Sequence, residues 1–263
     1  MKANVMMKTL SLAVLGLAGL SFAGASMAQS CPATIGSNQT PPGPWSAANQ
    51  LQSVLTVVTP GLGGTNCMMR TALNQNSSPA AKASAVDQTP NAEQRYRARF
   101  ILSTGIALTQ ASRSALIFNV VGPSAPTGGT QAALQIFLTG TGSARGLRFL
   151  VGDTAQPSQY RTVDVALPNQ AGANRVEIDL TFAAGAGTNG QLRYWVSDQA
   201  TATTDGSPTG PAVTGLANGA WGGVDQVVLG IATASGLWRS SYTNTDFVNF
   251  DEFDSRRQSF IGQ

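Results

Sequence analysis

Histidine is absent from the 263-residue chain, and its absence removes the usual base of serine and cysteine hydrolases and the commonest zinc ligand. Long apolar runs are missing as well. The longest, Leu10–Ala23, has 14 residues, whereas a membrane-spanning helix needs about 20. Lys2 and Lys8 precede that run and Ser26-Met27-Ala28 follows it, which is the charged, apolar and small-x-small order of a secretory signal peptide. Residues 1–28 are therefore expected to be removed, leaving Gln29 first and no transmembrane segment. Ala28-Gln29-Ser30 before Cys31 does not suit lipidation. The expected location is secreted, periplasmic or cell surface.

Charge is scarce at 11% of residues, and two of the three lysines fall in the leader, so the remaining chain holds 13 Arg and Lys82 against 13 acids, a net charge of +1. Nucleic acid binding needs clustered positive charge that displaces counterions, and it is set aside. Cysteine is confined to Cys31 and Cys67. That number and spacing exclude a CxxC redox centre or a cysteine metal cage, and an even count in an exported protein favours a structural disulfide.

What is plentiful is glycine (29) and proline (13), which suits a turn-rich all-β chain. The 235 residues after the leader can bury one sizeable core, so 29–263 is expected to form a single β-sandwich domain with its core at about 53–257. Period-two alternation gives the strands. In Gln94–Leu102, Tyr96, Ala98, Phe100 and Leu102 share one face and Arg95, Arg97 and Arg99 the other. In Asn174–Phe182, Val176, Ile178, Leu180 and Phe182 oppose Glu177, Asp179 and Thr181. Further strands are expected at 115–121, 132–139, 146–151, 160–167, 191–198, 224–231 and 246–254, with a loop at 74–85. Phe250 and Phe253, three apart, break the alternation and predict a β-bulge.

The order Glu93-Gln-Arg-Tyr-Arg-Ala-Arg-Phe100, Leu192-Arg-Tyr-Trp-Val-Ser-Asp198, Trp221-Gly-Gly-Val with Leu229-Gly230, and Val248-Asn-Phe-Asp-Glu-Phe-Asp-Ser-Arg-Arg257 resembles the concanavalin A-like lectin and glucanase superfamily. It is most similar there to the laminin G-like modules of bacterial exported proteins, over roughly 53–257. The resemblance implies an antiparallel two-sheet jelly roll. Function must come from a site on it.

Retaining glucanases of that superfamily carry a Glu-x-Asp-x-Glu strand. Here Glu177-Ile178-Asp179-Leu180 is followed by Thr181, and a hydroxyl cannot alternate as general acid and base. Glu177 and Asp179 are read instead as a solvated strand face. A lyase working through Tyr and Arg or Lys remains open, although Tyr96 and Tyr194, two of the four tyrosines, fall in register with apolar core neighbours. Asp246, Asp251, Glu252 and Asp254 cluster in sequence but lack the dense spacing of a calcium loop, so no cofactor is expected and structural calcium is the lesser alternative. An Asp at the predicted bulge would instead accept freed backbone amides.

Two features point to a ligand. Arg95, Arg97 and Arg99, spaced about 7 Å along one strand face, match carboxylates or sulfates of an acidic glycan, or else pair with Glu177, Asp179, Asp251 or Asp254 on neighbouring strands. Trp195 shares a face with Arg193 and Ser197 and would stack on a sugar ring if that face is open; Trp238, expected on a loop, is a second candidate, while Trp45 and Trp221 are read as packing residues. Together they suggest a non-catalytic, lectin-like module that binds a polysaccharide or surface glycan through Trp195, Arg193, Trp238, Arg95, Arg97 and Arg99. The alternatives are a structural or adhesion protein and a divergent polysaccharide hydrolase or lyase.

Overall fold

Alternating side chains produce two antiparallel seven-stranded sheets in the computed structural model, which describes residues 31–32, 34–36, 45–105, 113–141, 144–241, 246–256 and 259–262. The signal segment and Tyr242 lie outside the described residues. The first sheet runs β1 (Ala47–Leu51), β4 (Lys82–Asp87), β13 (Gln226–Ala234), β6 (Ser114–Val121), β7 (Ala132–Thr141), β8 (Ala144–Gly152) and β9 (Tyr160–Ala166). The second runs β12 (Val213–Leu216), β11 (Gly190–Asp198), β10 (Asn174–Thr181), β5 (Arg95–Thr104), β14 (Val248–Arg256), β3 (Met68–Leu73) and β2 (Ser53–Val58). This is the all-β sandwich of a jelly roll, and each strand expected from alternation is present. No described helix is long and apolar enough to cross a membrane.

The inner faces interlock through aromatic rings. Phe100 of the second sheet meets Phe118 of the first at 5.2 Å between centroids, and Tyr194 meets Phe149 at the same distance. All four are buried, Tyr96 beside them, and burying a side chain of this size contributes about 2–3 kcal/mol. Between β9 and β12 the buried Asp153 acts as a clasp. It accepts the amides of Ala155 and Ala217 and is paired with Arg161, whose other nitrogens donate to the carbonyls of Thr214 and Gly215. Burial raises the Asp153 pKa, but these donors with Gln156 outweigh it and hold the group below the ordinary aspartate value.

Cys31 and Cys67 are joined, with Cα atoms 5.5 Å apart, tying the segment before β1 to the start of β3. The expected bulge is present: the β14–β5 register shifts between Asp251 and Asp254, and Glu252 takes a positive φ of 47°. Asp251 accepts the freed Glu252 amide at 2.7 Å, together with the Leu62 amide and the Thr65 hydroxyl. Burial pushes the Asp251 carboxyl up despite those bonds.

Three expectations need correction. The loop at 74–85 ends at Ala81, because β4 starts at Lys82. Trp238 is on the short helix α1 (Gly236–Ser241) and is only 1% exposed, packed into the core, so it presents no plane to a sugar. Glu177 and Asp179 are 0% and 3% exposed, so their strand face is covered rather than solvated.

Candidate functional site

Extended backbone and register build the outer face of the second sheet into rows. Arg97 lies opposite Asp179, which lies opposite Arg193; Arg99 lies opposite Glu177, which lies opposite Trp195; Ile101 lies opposite Arg175, which lies opposite Ser197. The arginines of β5 and the carboxylates of β10 thus interleave, as alternation on both strands requires.

Asp179 is the hub of one row. It receives two bonds from Arg95, both at 2.9 Å, and one from Arg97 at 2.8 Å. Asp205, from the connection between β11 and β12, joins Arg97 at 3.1 Å and Arg193 at 3.2 Å and also accepts from Arg193 through its carbonyl. The bond to Asp179 raises the Arg95 pKa, against the effect of burial. The arginine stripe therefore follows the pairing alternative for Arg95 and Arg97. Arg99 makes a longer contact of 3.6 Å with Glu252.

Arg97 is nevertheless incompletely satisfied. It is 2% exposed, and its Nε and Nη1 have no hydrogen-bond partner among the described residues; the Nε atoms of Arg99 and Arg175 are in the same condition. Buried cationic donors without acceptors are costly. An anion placed against them would be held by charge-assisted bonds.

The cover over this face has two parts. Trp195 points outward as alternation predicts but is 1% exposed: its indole N–H donates to the Thr204 carbonyl at 2.9 Å, Arg193 lies 4.8 Å over its ring, and Phe260 packs on it at 5.1 Å. Of the two alternatives left open for Trp195, the structure shows the closed one: the connection between β11 and β12 and Phe260 cover its ring. Beside it, the amides of Ile261 and Gly262 donate to the two oxygens of Glu177 at 2.8 and 3.0 Å, and Arg99 donates to the Gly262 carbonyl at 2.6 Å. Burial raises the Glu177 pKa, only partly countered by those amides and by Arg97 and Arg99. Burial, with the charge of Arg99, lowers that of Arg175.

The face unites Arg95, Arg97, Arg99, Arg193 and Trp195 and leaves Trp238 elsewhere. Glu177, Arg175, Asp205 and Phe260 complete it. The sequence offered one sign of the cover, the apolar pair Phe260-Ile261 after the charged Asp254-Ser-Arg-Arg257. A separate cavity of about 330 Å³ at the disulfide end is lined by Trp45, Met68, Met69, Phe253 and the carboxylates Asp251 and Glu252. Among the described residues no three His, Cys, Asp or Glu side chains converge as metal ligands would.

No family model and no curated protein matches the sequence. In fold, the chain is similar to solved polysaccharide lyases. The endo-β-1,4-glucuronan lyase of the fungus Trichoderma reesei superposes with a TM-score of 0.56 at 13% identity, over 81% of this chain and 91% of that one. A double mutant of the alginate lyase Aly36B, in complex with alginate tetrasaccharide, gives 0.54 at 16% identity, over 83% and 87%. The PL-14 alginate lyase of Aplysia kurodai gives 0.52 at 10% identity, over 78% and 87%. These likenesses establish a shared jelly-roll sandwich. The expectation of a non-catalytic, lectin-like module is corrected here: the sugar-stacking planes it required at Trp195 and Trp238 are buried, and the three similar structures are lyases, not lectins.

Proposed function

We propose that the protein is an exported polysaccharide lyase that cleaves a uronate-containing chain by β-elimination. The observation that carries this reading is the buried Arg97 guanidinium, whose Nε and Nη1 have no acceptor among the described residues, at the centre of a face shared with Arg95, Arg99, Arg175 and Arg193. A uronate carboxylate supplies the missing acceptor, and its neutralisation by guanidinium acidifies the proton on the adjacent C5. Likeness in fold to glucuronan and alginate lyases supports the same substrate class.

Elimination needs a base. Tyr96 and Tyr194 face the core, and Tyr160 donates to the Ala132 carbonyl. Glu177 is the carboxylate in register with Arg99 and Trp195, on the row next to Arg97, which puts a base beside the guanidinium that would hold the uronate. It takes the C5 proton; the C–H electron pair becomes the C4–C5 double bond, the C4–O bond breaks, the departing oxygen takes a proton from water, and Glu177 returns its own to the solvent. One chain end then carries an unsaturated uronate and the other is a new reducing end.

Incubation of the purified protein with polyglucuronate, alginate and other uronans, followed by ultraviolet absorbance of the unsaturated product, tests this. Product from at least one uronan, lost in Glu177→Gln, is the expected result. New reducing ends without unsaturation would identify hydrolysis instead, and no cleavage of any uronan by the chain with or without residues 259–263 would reject the proposal.

A further inference from the structure

The outer face already holds a ligand, and that ligand belongs to the same chain. Ser259–Gly262 follows β14 and runs across the rows containing Arg99, Glu177 and Trp195. Its contacts use both charges of one row. The consecutive amides of Ile261 and Gly262 occupy the two Glu177 oxygens, and the Gly262 carbonyl occupies Arg99. Gly262 has φ 66°, in the left-handed region that glycine tolerates and other residues rarely adopt. Phe260 fills the remaining space against Trp195, with the Arg97 guanidinium 5.7 Å from its ring centre. Ile261 is 7% exposed although it belongs to no strand.

This occupant is an incomplete match to its site. An aromatic ring and backbone dipoles satisfy Glu177 and one nitrogen of Arg99, but Arg97 Nε and Nη1 and Arg99 Nε have no acceptor among the described residues. A ligand bearing a carboxylate would satisfy donors that the peptide cannot. Release needs no strand to separate, since the segment has no place in either sheet.

The geometry points to Ser259–Gly262 as an intramolecular competitor, a strap that lies in the uronan-binding face and must leave before an anionic glycan reaches Arg97, Arg99 and Glu177. The identity of the displacing glycan rests on the proposed lyase function; the strap itself rests on the contacts above. A strap closed in about nine molecules of ten lowers the apparent affinity of any competing ligand about tenfold.

The test compares the full chain with a form lacking Ser259–Gln263 and with full-length Phe260→Ala, using glucuronate and mannuronate oligosaccharides in calorimetry and a synthetic Ser-Phe-Ile-Gly peptide added in trans. The shortened form is expected to bind an oligosaccharide about tenfold or more tightly than the full chain. Phe260→Ala should move affinity the same way by a smaller factor, and the peptide should bind the shortened form, quench or shift tryptophan fluorescence, and compete with the oligosaccharide. Equal oligosaccharide affinity in full and shortened chains overturns the strap and leaves the lyase reading intact. Peptide binding with no oligosaccharide binding to either form upholds the strap and removes the uronan. Failure of the peptide to bind a folded shortened chain also overturns the strap.

Discussion

Arg95 and Arg97 stand two residues apart on the same strand and pair with the same carboxylate, yet water sees them differently. The Arg95 side chain is 40% exposed and that of Arg97 2%. Screening makes an exposed pair worth less than about 1 kcal/mol, whereas removing one partner of a buried pair costs about 3 kcal/mol or more because the other charge stays buried. Urea unfolding should therefore show Arg95→Ala near wild type and Arg97→Met destabilised by about 3 kcal/mol, the remaining contacts of Asp179 with Arg95 and Arg193 limiting the loss. Equal effects would mean that burial does not govern this network. Glu177 gives a second reading at this scale: its carboxyl carbon, followed by NMR, should titrate above an ordinary glutamate because burial outweighs its bonds to the Ile261 and Gly262 amides.

Among the elements, those with strong contrast between faces were legible and the rest were not. β5 and β10 alternate cleanly, and their registers put Arg99 opposite Glu177 and Arg97 opposite Asp179 as alternation implies. β4, with Ala83, Ser84 and Ala85 in its middle, buries small side chains on both faces and offers no such contrast. β1, β2 and β12 lie at sheet edges and bury little, which blurs the pattern. The closure of the site was illegible for another reason. Ile261 and Glu177 are 84 residues apart, and a single segment laid across a sheet leaves no period to detect.

Two predictions belong to these elements. A Cβ at Gly152, at the end of β8, would come within 2.9 Å of the buried Trp221 ring, so Gly152→Ala should cost about 1–3 kcal/mol in urea unfolding. Asp153 has a lowered pKa, so its contribution is complete above the ordinary aspartate value and disappears as pH falls through the lower folded value. Asp153→Asn should cost about 2 kcal/mol at neutral pH, and the gap from wild type should narrow in unfolding curves recorded below that ordinary value. A constant gap would contradict the assignment.

For the molecule as a whole, the Cys31–Cys67 bridge closes 36 residues outside the central strands. Its constraint acts on the unfolded chain, so reduction should lower stability by about 3–4 kcal/mol in denaturant titrations while leaving the strand spectrum unchanged under native conditions.

The position of the two highest-numbered strands carries a consequence for biosynthesis. β13 lies between β4 and β6, and β14 lies between β5 and β3, so each fills an interior slot and not a border. A nascent chain that has emerged only as far as β12 has a gap in the middle of both layers, flanked by strands with unmated amides and carbonyls. Such open borders invite pairing with other chains. Ribosomal stalling or premature termination before Gln226 should therefore yield aggregates rather than a smaller folded product, and assembly waits for the nine-residue strand Val248–Arg256 to arrive.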